Sequence, residues 1–378
     1  VKISAEALAN VLRARGLDLA SLSTRSGVPL DRLEKAIDGG ADLRDDQIAS
    51  VAEELAVPLQ ALFTRQKLPL FPSVDFRTAS PSIGKFQKGT LQAISYVEGL
   101  SSTLSALDLD LSLDESLAPV TISRLGPAEA EELAHVWRTR WGISDEQQLE
   151  WQDANKLYVS LRAFVERLGV LVLHRQFKND EAAGMYVHID DGPHTIVINT
   201  TNSSKARKLF TLAHEFCHVL IRKEGASNPS IVRNRIERFC NRFAACLLAP
   251  KRLVEAALQR FRYRAIPDDD FIRLFAKRLG LSQEATFVRL VQTGHLQRSD
   301  YRLWKSKFGN RNFVPSGDQA EKSSGGTPDP LRDKRTQYGT RLLTLLQRAR
   351  RMGQLDEIDI YRLSGLKPVY QEQLFGAA

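Results

Sequence analysis

The sequence predicts an α+β fold that is mostly helical: a small N-terminal helical domain, a central domain carrying a small sheet, and a helical C-terminal region. Three observations predict it. Apolar residues recur at helical spacing in many short runs punctuated by Gly, Pro, Asp and Ser. Strand-like runs occur close together, at 170–174, 184–189 and 195–199. With 378 residues, 43% of them apolar and 26% charged, the chain has the composition of a soluble globular protein with two or three domains.

The first domain spans 1–64. Leu8 and Leu12 lead a helical run that ends at Gly16, a second covers 18–26, Gly27, Val28 and Pro29 make a tight turn, and a third covers 30–37. Two more follow at 44–56 and 59–63. Five short helices with a tight turn between the second and third resemble an XRE-type helix-turn-helix domain, and by that resemblance 30–37 would be the recognition helix. Charge opposes plain duplex binding: residues 1–64 carry seven Lys/Arg against ten Asp/Glu, and Asp31 and Glu34 lie in the recognition helix itself. Phosphate demands the opposite sign, so protein docking suits the domain better; Arg25, Arg32 and Lys35 could still form a local basic edge.

Pro and Ser enrichment at 65–82 marks a linker. Beyond it, 83–107 reads as a long helix and 154–168 as an amphipathic one, and the strands follow. A helical run that begins at Ser204, with Gly225 as its expected stop, contains His214-Glu215-Phe216-Cys217-His218. Two histidines four apart on a helix differ by about 40° of rotation, so both imidazoles project from one face and can share a metal ion. Glu215, beside the first of them, is placed to act as general base. A catalytic zinc site needs a third protein ligand and an open position. Glu237 is the expected third ligand; it lies on a second helical run, 231–248, that ends before Pro250, with Asn241 one turn further on. Glu224 is the alternative ligand. The plainer readings are two half-buried, hydrogen-bonded histidines, and a Glu237 paired with Arg233 or Arg238.

The stretch 210–218 around the motif, followed by 237–250, looks like the ImmA/IrrE family of zinc metallopeptidases, and Asp75-Phe76-Arg77 resembles the start of its longer members. The resemblance implies a zincin-like core, here 83–260, in which His214, His218 and Glu237 hold Zn2+ and Glu215 is the base. It also implies cleavage of a partner XRE-type repressor in a DNA-damage or phage-defence response, with single-stranded DNA as activator. The CapP-type proteases of anti-phage operons are the nearer likeness. Many relatives carry Gly where this chain has Cys217. Cys217, Cys240 and Cys246 are too few and too clustered for a disulfide framework and fit a reducing compartment. Cys217 and Cys240 could nonetheless regulate the zinc site through a thiolate, although free Cys is usually a small buried hydrophobe. Tyr186, His188 and His194 are candidates for oxyanion or substrate contacts, since something must stabilise the tetrahedral oxyanion.

The remainder, 261–378, is expected to be a basic helical region with a flexible loop at about 309–339 and short helices at 342–352 and 357–363. Residues 251–378 carry 24 Lys/Arg against 14 Asp/Glu, whereas 65–250 is nearly balanced at 22 against 21. Arg262 and Arg264, and then Arg302, Trp304, Lys305 and Lys307, interleave cations with aromatic faces, a pattern suited to single-stranded nucleic acid. The competing reading turns the aromatics inward and the charges to water. No apolar run reaches membrane-span length and no basic-then-apolar leader opens the chain, so a cytoplasmic protein with no membrane partner is expected; the missing initiator Met points to a trimmed chain. Two rivals remain: a DNA-binding regulator with an inactive peptidase domain as scaffold, and a protein whose zinc only ties helices together.

Overall fold

The structure, a computed structural model, describes residues 3–38, 42–63, 87–117, 125–178, 182–189, 191–201, 203–222, 225–227, 235–261, 269–308 and 329–375. The N-terminal unit comprises α1 (Ala5–Arg15), α2 (Leu19–Ser26), α3 (Leu30–Ile37), α4 (Asp45–Leu55) and a single 3-10 turn, Leu59–Leu62, in place of the fifth helix. Ser4 and Asp18 cap α1 and α2 by accepting backbone N–H bonds, and Gly27 makes the α2–α3 turn with φ 71°. Leu8, Val11, Leu22, Leu33, Val51 and Leu55 fill its core. On α3 only Leu33 and Ala36 are buried.

Helix α5 (Lys88–Ser105) joins this unit to the rest of the molecule. Its Leu91 belongs to the N-terminal core, while Ile94 and Val97 pack with Met185 and Val197 on one face of the sheet. Close approach explains Gly89 near the start of α5: an added Cβ would collide with the Phe177 carbonyl. Arg15 of α1, 1% exposed, makes a two-pronged ion pair with Glu98 of α5 at 2.7 and 2.6 Å.

Helices α6 (Pro127–Trp141), α7 (Asp145–Trp151) and α8 (Ala154–Arg167) precede a four-stranded sheet. Its strands are β1 (Leu171–Arg175), β2 (Gly184–Val187), β3 (Thr195–Asn199) and β4 (Gly225–Ser227), in the order β1-β3-β2-β4. β1 and β3 run parallel, while β2 pairs antiparallel with both β3 and β4. Alternation along the strands splits the faces: Leu171, Leu173, Met185 and Val197 face the α5 side, while Val172, Tyr186, Ile196 and Ile198 join the main core with α9 (Lys205–Ile221). The main core continues through α10 (Arg235–Leu248), α11 (Lys251–Phe261), α12 (Asp269–Leu279) and α13 (Gln283–Gln292), with Trp304 of α14 (Arg298–Phe308) packed against it.

The expected boundary at 260 therefore runs through one core: Phe271, Phe275 and Phe287 are buried with Phe216 and Phe243. Of the expected loop at 309–339, residues 309–328 lie outside the described residues and 330–339 are helical: α15 (Pro330–Arg351) starts at Pro330 behind the Asp329 cap and merely kinks at Gly339. Glu166 makes the kink possible by accepting a 3.0 Å bond from the Thr340 N–H. Helices α16 (Glu357–Ser364) and α17 (Pro368–Phe375) close the chain; Leu342, Leu346, Ile360 and Phe375 share a cluster with Leu100, Leu104, Leu171 and Leu173. The expected linker 65–82 lies outside the described residues. Among the described residues no helix is long and apolar enough to cross a membrane.

Candidate metal centre

Helix α9 carries the motif because Ser204 caps it, accepting the Arg207 N–H, and an apolar run from Leu209 to Leu220 buries it between α8, α10 and the sheet. It ends earlier than Gly225: Arg222 takes the left-handed conformation, φ 50°, and its N–H returns to the carbonyls of His218 and Val219. His214, Glu215 and His218 are fully or almost fully buried.

The two imidazoles converge, with Nε2 atoms 3.2 Å apart. Glu237, in the first turn of α10, completes a triangle: Oε2 lies 3.2 Å from His214 Nε2 and Oε1 lies 3.4 Å from His218 Nε2. Two donors bound to one tetrahedral ion at about 2.0–2.1 Å stand roughly 3.3 Å apart, so these edges fit a zinc ion. Ligation requires neutral imidazole and ionised carboxylate; His214 and Glu237 lean that way. At His218 burial, which favours the neutral ring, is outweighed by Cys240, Glu237 and Glu215, which hold its pKa well above the ordinary value, so an ion bound there displaces a proton. Burial, against the pull of Glu237 and Asn241, pushes His214 below its ordinary pKa. Glu237 stays well below the usual carboxylate range; burial opposes ionisation, but hydrogen bonds and charge from His214 and His218 prevail. Asn241, one turn beyond Glu237, places Oδ1 2.9 Å from His214 Nδ1. The amide oxygen accepts the Nδ1 proton, and that leaves the Nε2 lone pair facing Glu237 and His218.

Glu215 lies beside β2, and its charge acts on His218. A Cβ added at Gly184 would stand 3.2 Å from Glu215 Cγ and 2.6 Å from Thr211 Cγ2, so the absent side chain at 184 is what lets the strand pass the motif helix. Cys240 also belongs to the cluster: its Sγ and one ring nitrogen from each of His214 and His218 lie within 4.8 Å of one another. Burial first, and the adjacent Cys217 thiol next, raise the Cys240 pKa well above the ordinary thiol value.

Side chains of α6, α7 and α13 anchor the C-terminal end of α10. Arg138 bonds the Leu247 carbonyl at 2.9 Å, Gln148 those of Leu248 and Leu279 at 2.8 Å each, and Arg289 that of Ala249 at 2.7 Å. These contacts satisfy carbonyls that the ends of α10 and α12 leave open. Nothing in the sequence spacing singled out these three residues, nor the bond from Asn241.

The remaining candidates fall elsewhere. Tyr186, His188 and His194 come together with each other: the Tyr186 hydroxyl is 2.6 Å from His194 Nδ1, and the His188 and His194 rings stack at 3.8 Å. Their charged neighbour is Arg222, past the end of α9, and burial lowers His194 to about 3. In the basic region, Lys305 bonds Glu284, and Trp304 packs on Phe287 at 5.3 Å between ring centroids. Arg302 and Lys307 are exposed. Arg262, Arg264 and Glu224 lie outside the described residues.

The span from the end of α8 to α13 thus holds the sheet, the motif helix and every ligand candidate in the described residues. Residues 165–291 match the family model Peptidase_M78, the IrrE N-terminal-like domain. This match supports the ImmA/IrrE family. It also supports a peptidase function for the segment that builds the triangle. No curated protein and no solved structure matches the chain.

Proposed function

We propose that the protein is a zinc-dependent endopeptidase of the HExxH type. The observation that carries the reading is the triangle of His214, His218 and Glu237, whose 3.2–3.4 Å edges suit one tetrahedral ion. Zinc bound there would supply a Lewis acid that polarises a peptide carbonyl and makes water nucleophilic near neutral pH. Glu215 takes the proton from the attacking water and returns it to the leaving amine nitrogen. Asn241 keeps His214 in the tautomer whose Nε2 faces the ion. Tyr186, His188 and His194 remain candidates for substrate contacts, because their cluster shares the sheet that backs α9.

The substrate we infer is an XRE-type repressor in a bacterial DNA-damage or phage-defence response, and the place of action is the cytoplasm. The N-terminal unit supports a docking role: five of the eight α3 residues are exposed, Asp31 and Glu34 among them. Activation by single-stranded DNA draws on the charge excess of 251–378 and on the exposed Arg302 and Lys307. Incubating the zinc-loaded protein with such a repressor, with and without single-stranded DNA, tests both parts. Cleavage only with the strand supports both; cleavage regardless of it keeps the enzyme and removes the activator. No cleavage favours a transcription regulator that uses the peptidase domain as scaffold.

A thiol brake is a second reading, favoured by Cys240 standing in the same cluster as the two histidines. Its thiolate would fill the open coordination position, with Cys217 beside it. The Cys240→Ser variant should then cleave without activator at a rate at least about tenfold above wild type. Equal basal rates would eliminate the brake.

A further inference from the structure

A second site lies on the other side of the sheet from α9. Between α5, the ends of β1 and β3 and the first turns of α15 there is a cavity of about 700 Å3, and none of the metal-centre residues lines it. Arg175 and Gln176 close β1 here, and Thr200 follows β3. Ligands of parallel strands gather at carboxyl ends, where the chains leave the sheet and open a crevice.

The lining has a definite chemistry. Arg175 lies over the Tyr96 ring, 3.2 Å from its centroid, and no carboxylate among the described residues is bonded to it. A guanidinium held this way offers a fork of N–H donors to phosphate oxygens. His174 beside it is uncharged, because burial, with Arg162 and Lys208 nearby, lowers it to about 3; Arg175 therefore carries the positive charge of the described lining. Gln92, Gln176 and Gln337 add three amides, each able to donate and accept, which matches the edges of nucleobases. Asp333 suits a sugar hydroxyl or a base N–H. The volume exceeds what an inorganic anion fills and falls in the range of small-molecule pockets.

We propose that this cavity binds one nucleotide unit, with phosphate on Arg175 and the base beside Tyr96 and the glutamine amides. A free mononucleotide and one residue of a single strand share this chemistry. Exposed Arg332 and Arg335, on the same turns of α15, would meet the neighbouring phosphates of a strand.

The position links the ligand to the metal centre. Thr200, whose N–H bonds the Arg175 carbonyl at 2.8 Å, stands four residues before the Ser204 cap of α9. Helix α5 reaches the N-terminal unit through Glu98 and Arg15, and α15 is fixed to α8 through Glu166. The regulatory consequence rests on the peptidase reading, whereas binding is measured without any substrate, so the two can fail separately.

The test is calorimetric titration of the full zinc-loaded chain with each of the four deoxynucleoside monophosphates and with a mixed-sequence single strand of about 16 nucleotides. Arg175→Gln removes the phosphate fork. Gln92→Trp starts from an exposed position of α5 and fills the cavity. We expect wild-type binding that weakens about tenfold or more in Arg175→Gln and disappears in Gln92→Trp, with zinc content and melting temperature unchanged. Binding of a monophosphate identifies a free nucleotide as ligand; binding of the strand alone identifies a unit of single-stranded DNA. If no probe binds wild type, or if either variant keeps wild-type affinity for the probe that does, the site is overturned.

Discussion

Asn241 shows what a single side chain contributes to the centre. A polar atom on His214 Nδ1 fixes the ring tautomer, and Asn does this without adding charge. Asn241→Leu leaves a buried N–H without its acceptor and frees the ring to turn. Zinc affinity, measured by competition with a chelator, should fall about 10- to 100-fold, and Asn241→Asp should restore much of it. An affinity within twofold of wild type in Asn241→Leu would remove this role. The histidines and Glu215 were legible because the four-residue spacing alone fixes their geometry on a helix. Glu237 was legible less directly, as a carboxylate on the next helical run. The role of Asn241 depends on how α10 crosses α9, and no local spacing encodes that crossing.

At the level of elements, the strands were legible because their apolar runs are short and bounded, and α9 because its apolar stripe is continuous. α6 was not. Its buried positions are Ala130, Ala134, Trp137, Arg138 and Trp141, and small or charged residues give a weak apolar period. β4 is Gly225, Ala226 and Ser227, which carry no strand propensity; pairing to β2 makes it a strand. Two histidines make the sheet sensitive to acid. On β1, His174 places Nε2 2.5 Å from the Tyr158 hydroxyl, and His194 bonds Tyr186. Burial lowers both to about 3, while an unfolded His titrates near 6.5. Between those values the unfolded chain binds protons that the folded chain does not, so stability declines as pH falls from about 6.5 toward 3 and is unaffected above that window. Denaturant midpoints for wild type should drop across this range. His174→Gln, measured at the same pH values, should flatten part of the slope, and an unchanged slope would refute the assignment.

On the scale of the whole molecule, three cores meet along α5, while the main core runs from Leu117 to Leu290 without it, so a boundary placed at 260 from charge and composition cuts through that main core. Charge excess reports on surface, not on which helices share a core, and Phe271 and Phe275 were ambiguous between the two. The tie between α1 and α5 is a buried charge pair, so losing one partner should be costly. Glu98→Gln leaves Arg15 buried without its counter-charge, and unfolding free energy should fall by about 3–5 kcal/mol in a urea titration. A change below about 1 kcal/mol would mean the domains do not depend on that pair. The central claim is that His214, His218 and Glu237 hold a catalytic zinc while Glu215 moves the proton. The most direct test is zinc stoichiometry and repressor cleavage for wild type and Glu215→Gln, side by side. The account predicts one zinc per chain in both proteins, with cleavage slowed about 100-fold or more in the variant. Equal cleavage by the two proteins, or a wild-type chain that binds no zinc, would contradict it.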